Sequence, residues 1–99
     1  MICWMREAVV RQGHMAEARA FARDIVAHDN SQGTGTFKVF HARYGQLNRL
    51  LWTAEFADMA ALEAWQARTR DDAQAQELIA RSLPLFADGS IHDSVFESL

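Results

Sequence analysis

The sequence predicts an α+β fold in which a β-α-β-β-α-β chain forms one antiparallel sheet backed by helices. Three observations carry this reading. The stretch 37–65, FKVFHARYGQLNRLLWTAEFADMAALEAW, reads as strand, tight turn, strand, short connection and the opening of a helix. Upstream of it, apolar residues recur at helical spacing. Strand-like segments, 2–10 and 91–96, stand near the two ends.

Ile2 to Val10 is the first strand, ending near Gln12-Gly13. Its alternate faces are Ile2, Trp4, Arg6, Ala8, Val10 and Cys3, Met5, Glu7, Val9. Neither is purely polar, whereas a strand wetted on one side alternates more cleanly. Both faces are therefore expected to be covered for most of their length.

A helix is expected from His14 to about Asp29. Met15, Ala18, Phe21, Ala22, Ile25 and Val26 make one apolar stripe, with Glu17, Arg19, Arg23 and Asp24 largely opposite. Residues 30–35, NSQGTG, form the clearest loop, rich in side chains that bond their own backbone.

Phe37 to Tyr44 and Leu47 to Phe56 are the next strands. Gly45-Gln46 suits a two-residue type II′ hairpin, with Gly in first position. That turn sets His41 opposite Leu50 and Val39 opposite Trp52. One face then carries Phe37, Val39, His41, Arg43, Asn48, Leu50, Trp52, Ala54 and Phe56. A one-residue slip exchanges the faces.

Asp58 is placed to cap a helix carrying Met59, Ala61, Leu62 and Trp65. Residues 68–72 are charged and read as a break. Asp71 or Asp72 then caps a further helix through Leu78, Ile79, Leu83 and Phe86, and Pro84 ends it or sits in its last turn. Asp88-Gly89 is a turn, and Ile91 to Phe96 the final strand. The simplest packing of this order is a ferredoxin-like split βαβ with an antiparallel four-stranded sheet and helices on one face. The bare face then calls for a cover, most economically the same sheet of a second copy.

Bulk properties fit one domain spanning residues 1–99. The hydrophobic fraction of 49% suffices for a core, and three Trp and six Phe are expected to exceed what one covered sheet face can hide. Net charge is −3 with the signs interspersed, so no basic stripe suits nucleic acid. The single cysteine, Cys3, forms no internal disulfide. MICWMREAVV lacks the basic start of a signal peptide, and no run reaches the ~20 apolar residues of a membrane span. A cytoplasmic protein with neither nucleic-acid nor membrane partner is expected.

Residues 45–52, GQLNRLLW, and 55–64, EFADMAALEA, with the tail 83–86, LPLF, followed by a glycine turn and a strand, resemble the dimeric α/β barrel superfamily. Within it the chain is similar to the NIPSNAP-like branch and the neighbouring antibiotic-biosynthesis monooxygenase-like branch. The resemblance implies a homodimer whose paired sheets enclose a cavity. Known activities of the superfamily include cofactor-free oxygenation of phenols, haem degradation, dye-type peroxidation and lactone isomerisation. Haem-degrading relatives place a ligating His in the second helical region, where residues 57–90 contain none. No cofactor is expected. The histidines show no metal-ligand spacing, and His14 and His28 read as solvated helix-end residues.

His41, Arg43, Asn48 and Trp52 are the candidate catalytic group. They supply a titratable base, a cation, an amide and a flat apolar wall. Oxygenation of a phenol needs a base to take the proton and a cation or amide to hold the anion. The competing reading is structural: Arg43 and Asn48 solvated near the hairpin, Trp52 packed on the helices. On the other face a pairing of Arg49 with Glu55 would be an ordinary ion pair, weak evidence for any function, and Glu7 is a further interior acid. Three functions follow: a binder of a small apolar or aromatic ligand, a cofactor-independent monooxygenase, or a structural dimer with a filled barrel.

Overall fold

The computed structural model describes residues 1–99. The elements are β1 (Ile2–Val9), α1 (Met15–Ser31), β2 (Thr36–His41), β3 (Arg49–Phe56), α2 (Met59–Asp71), α3 (Ala73–Ser82), a 3-10 turn (Leu83–Leu85) and β4 (His92–Glu97). They form one four-stranded antiparallel sheet in the order β2-β3-β1-β4. This is the ferredoxin-like arrangement that the element order predicts.

The hairpin register is the expected one. His41 pairs with Leu50 and Val39 with Trp52. The turn is longer than two residues, because β2 stops at His41 and β3 starts at Arg49. Asn48 prolongs the pairing of β3 with β1. Its carbonyl accepts from Val10 N at 2.7 Å and its Nδ2 donates to the Val10 carbonyl at 2.9 Å. On the other side of β3, Ala42 N still donates to the Arg49 carbonyl at 3.1 Å, so the pairing with β2 runs one bond past His41 before the loop begins. Gly45 takes φ +76° in this loop, a conformation that favours glycine.

The helix caps follow the sequence. Asp58 Oδ1 accepts from Ala61 N at 2.9 Å. Asp72 separates α2 from α3 and accepts from Gln74 N and Ala75 N. Helix α1 runs two residues past its expected end, to Ser31. In its last turn the Asn30 amide both donates to the Phe37 carbonyl (3.1 Å) and accepts from Phe37 N (2.8 Å), tying the helix end to β2.

The core lies between the sheet and the helices. Ile2, Trp4, Ala8, Leu50, Trp52, Ala54, Phe56 and Phe37 supply the sheet side. Two aromatic groups fill it. Trp65 packs on Trp4 (5.0 Å between centroids), Phe37 (5.1 Å) and Phe56 (5.6 Å). Phe21, Trp52 and Phe86 contact one another at 5.8–6.3 Å, edge to face. One covered face thus takes all three Trp and four of the six Phe, against the expectation that it has too little room. Phe40 and Phe96 stay exposed.

Candidate functional site

The sheet face turned away from the helices carries the odd-numbered residues of β1 and β3. Side chains alternate across a strand, so directly paired residues share a face. Cys3 pairs with Glu55 and Phe96, Met5 with Thr53 and Ser94, Glu7 with Leu51, and Val9 with Arg49. Phe40 joins them through Leu51. Cys3, Met5, Val9, Leu51 and Thr53 are only half-buried, and Phe40 and Phe96 keep 50% and 60% of their exposure. The expectation that both faces of β1 are covered thus holds within this chain only for the helix side.

At one end of the open face lies a hollow of about 140 Å³, lined by Glu7, Phe40, His41, Ala42, Arg49, Leu50 and Leu51. Its charged pair is Arg49 with Glu7, at 3.5 Å from Nη1 to Oε1. Arg49 therefore faces Glu7, not Glu55 as the sequence suggested. Glu55 stands at the far end of the same strand, about 20 Å away at strand rise, whereas the strand order sets Glu7 of β1 beside Arg49. Arg49 Nε donates to the Gln46 carbonyl at 3.0 Å, so the hairpin loop holds the guanidinium at its stem.

The four residues singled out in the sequence do not converge. Trp52 lies in the helix-side core, 7% exposed, against Phe21 and Phe86, and its indole Nε1 is buried without a hydrogen-bond partner. Asn48 spends its amide on Val10. Arg43 is exposed in the hairpin loop. His41 pairs with Leu50, so its side chain shares the helix-side face. It is nevertheless exposed at the end of β2 and borders the hollow. The face named in the sequence is real, but it is the one the helices cover.

A second polar cluster was missed in the sequence. His28 is buried and its Nε2 lies 2.6 Å from Oδ2 of Asp72, so it is not the solvated helix-end residue its position suggested. The hydrogen bond from His28 is the main reason the Asp72 carboxyl is held below the ordinary carboxylate range. Beside it, burial pushes Asp29 up to about 6, opposed by the Trp65 indole and by His28. No sequence spacing signals this cluster, since its partners stand 44 residues apart. On the helix side of the sheet, Arg6 holds Asp93 by two bonds of 2.7 and 2.8 Å and thereby lowers the Asp93 carboxyl.

The fold and open face define a ferredoxin-like α+β protein with helices on one side of its sheet. The chain belongs to the NIPSNAP family, whose model matches residues 5–94. It is similar to an uncharacterised NIPSNAP domain protein from Burkholderia xenovorans at 18% identity, covering 100% of this chain and 95% of that one with a TM-score of 0.84. A NIPSNAP family protein from Agrobacterium tumefaciens strain C58 is also 18% identical, with coverages of 99% and 92% and a TM-score of 0.84. A second NIPSNAP-like domain protein from Burkholderia xenovorans gives 15% identity, 99% and 84% coverage and a TM-score of 0.82. At these identities the likeness concerns the fold. No curated protein matches the chain. No helix is long and apolar enough to cross a membrane.

Proposed function

We propose that two copies of this chain press their open sheet faces together and hold a small apolar or aromatic ligand between them. The observation that supports it is the content of that face. Cys3, Met5, Val9, Phe40, Leu51 and Phe96 form an apolar surface without a cover in the chain, and it borders a hollow with an ion pair in it. Extended apolar surface of this kind marks association or ligand sites. A filled barrel with no ligand is the bland form of the same dimer.

Light scattering tests the pairing. The parent protein is expected to be a dimer at micromolar concentration, and Leu51→Glu, which sets a carboxylate in the middle of the face, is expected to be a folded monomer. A monomeric parent sinks the reading. Compartment enters it only as cytoplasmic, in keeping with the one unpaired Cys3.

The second reading is cofactor-independent oxygenation of an aromatic or quinone-type substrate, with His41 as base; Arg43, Asn48 and Trp52, expected from the sequence to assist, are not part of the hollow that His41 borders. One observation favours it: His41, a titratable group, borders the hollow that also holds Arg49. Oxygen uptake with hydroquinones and anthrones decides the matter. Turnover by the parent that is lost in His41→Ala supports this reading; no turnover by the parent, or turnover unchanged in His41→Ala, removes it.

A further inference from the structure

We propose that Arg49 anchors the anionic end of the ligand, and that the ligand class is a planar single-ring carboxylate. The inference rests on the reading of the hollow as a ligand site. Its first support is size. The hollow measures about 140 Å³ and is half open to solvent; closed by the second sheet of the proposed dimer, it is of the order of the ~150 Å³ cavity that takes a benzene ring. Its second support is the lining, in which Phe40 and Leu51 offer apolar surface on the open face beside a single cation, Arg49.

The third support is the state of that cation. Arg49 Nε is fixed on the Gln46 carbonyl at 3.0 Å. Nη2 lies against Gly45, where a β-carbon would approach it to 3.3 Å. The stem is thus held, while the outer edge of the guanidinium is not used up. Nη1 stands 3.5 Å from Glu7, well beyond the ~2.7–2.9 Å of a charge-assisted hydrogen bond. A guanidinium held in place with free N–H groups suits a carboxylate, which it engages with two parallel bonds, and little ordering is lost on binding. Glu7 is the competing anion and keeps the site neutral when empty.

The test uses two fluorescent probes of the same shape, anthranilate and its uncharged amide. The parent protein is expected to bind the acid about tenfold or more tightly than the amide, the scale of one added charge-assisted contact. Arg49→Met is expected to erase the preference, the ratio of the two affinities falling to about one. Glu7→Gln, which removes the competing carboxylate, is expected to raise the preference for the acid over the amide. Equal affinity of the parent for both probes, or a preference that survives Arg49→Met, overturns the anchor and leaves the pocket standing. Binding of neither probe by a dimeric parent overturns pocket and anchor together. Circular dichroism verifies that each variant is folded, and both substituted side chains are at least one-third exposed.

Discussion

His28 Nε2 meets Oδ2 of Asp72 at 2.6 Å, while the other oxygen of Asp72 accepts from the first amides of α3. One carboxylate therefore joins the end of α1 to the start of α3. His28→Ala is expected to lower stability by about 1–3 kcal/mol, the scale of a lost buried hydrogen bond to a charged group. Hydrogen exchange should show the loss as earlier opening of the first turn of α3. Asp72→Asn retains a capping oxygen and is expected to protect that turn better than Asp72→Ala. Equal protection in the two variants would remove the cap from the argument.

Asp29 makes stability fall with pH in the acid range. Its carboxyl ordinarily titrates near 3.8 and in the folded chain near 6, because burial disfavours the charge. Between those values the folded state binds more protons than the unfolded one, so stability declines as pH rises. The full cost of the shift at neutral pH is roughly 2–3 kcal/mol. Asp29→Asn is expected to stabilise the protein by up to about that amount at pH ~7, and to gain little below pH ~4. Asp72 and Asp93 act oppositely. Their lowered carboxyls contribute stability above the ordinary carboxylate range, which is lost as pH falls through the lowered values. Denaturant melts of parent and Asp29→Asn across this range isolate the Asp29 part, and a constant difference would refute it.

Gly35 is required by space and not by a special backbone angle. A β-carbon there would lie 3.1 Å from the Glu55 carbonyl and 3.2 Å from Phe56 Cε1. The first contact is backbone of a neighbouring strand and yields little. Gly35→Ala is expected to cost about 1–3 kcal/mol, the range for forced overpacking. Gly33→Ala meets nothing within 4 Å, but its φ of +69° strains any side chain. A thermal melt distinguishes the two by what rescues them. Phe56→Leu, which shortens one of the crowding side chains, is expected to cost less in a Gly35→Ala background than in the parent, and to be no cheaper beside Gly33→Ala.

The fold was readable because its signals are local. Asp58 and Asp72 announce their helices one residue ahead, and the apolar stripe of α1 shows in 15–26. The register of β2 on β3 was read from a turn centred on Gly45-Gln46, and it holds although the loop is longer, since the same pairing puts Phe37, Leu50 and Trp52 in the core. The site was less readable because its geometry depends on a nonlocal pairing. Only the placement of β1 against β3 brings Glu7 to Arg49, and only the docking of α1 on α3 buries His28. The hairpin misled in its length: Gly45-Gln46 has the chemistry of a two-residue turn, but β2 stops at His41 and β3 starts at Arg49. Trp52 was placed on the right face, yet which face the helices cover is not written in strand alternation alone.

Trp52 and His41 share that face and should separate cleanly under substitution. Trp52 fills space between Phe21 and Phe86, so Trp52→Ala is expected to cost about 3–5 kcal/mol. Its Nε1 is buried without a partner, which is itself unfavourable. Trp52→Phe removes that orphan donor while leaving much of the ring contact, and is expected to cost far less than the alanine change. His41 is exposed at the end of β2, so His41→Ala is expected to change stability by less than about 0.5 kcal/mol. Paired denaturant titrations of the three variants check this ordering. A large loss in His41→Ala would mean that the side chain is packed and not free at the rim of the hollow. A small loss in Trp52→Ala would mean that the aromatic group around Phe86 does not hold the sheet to its helices.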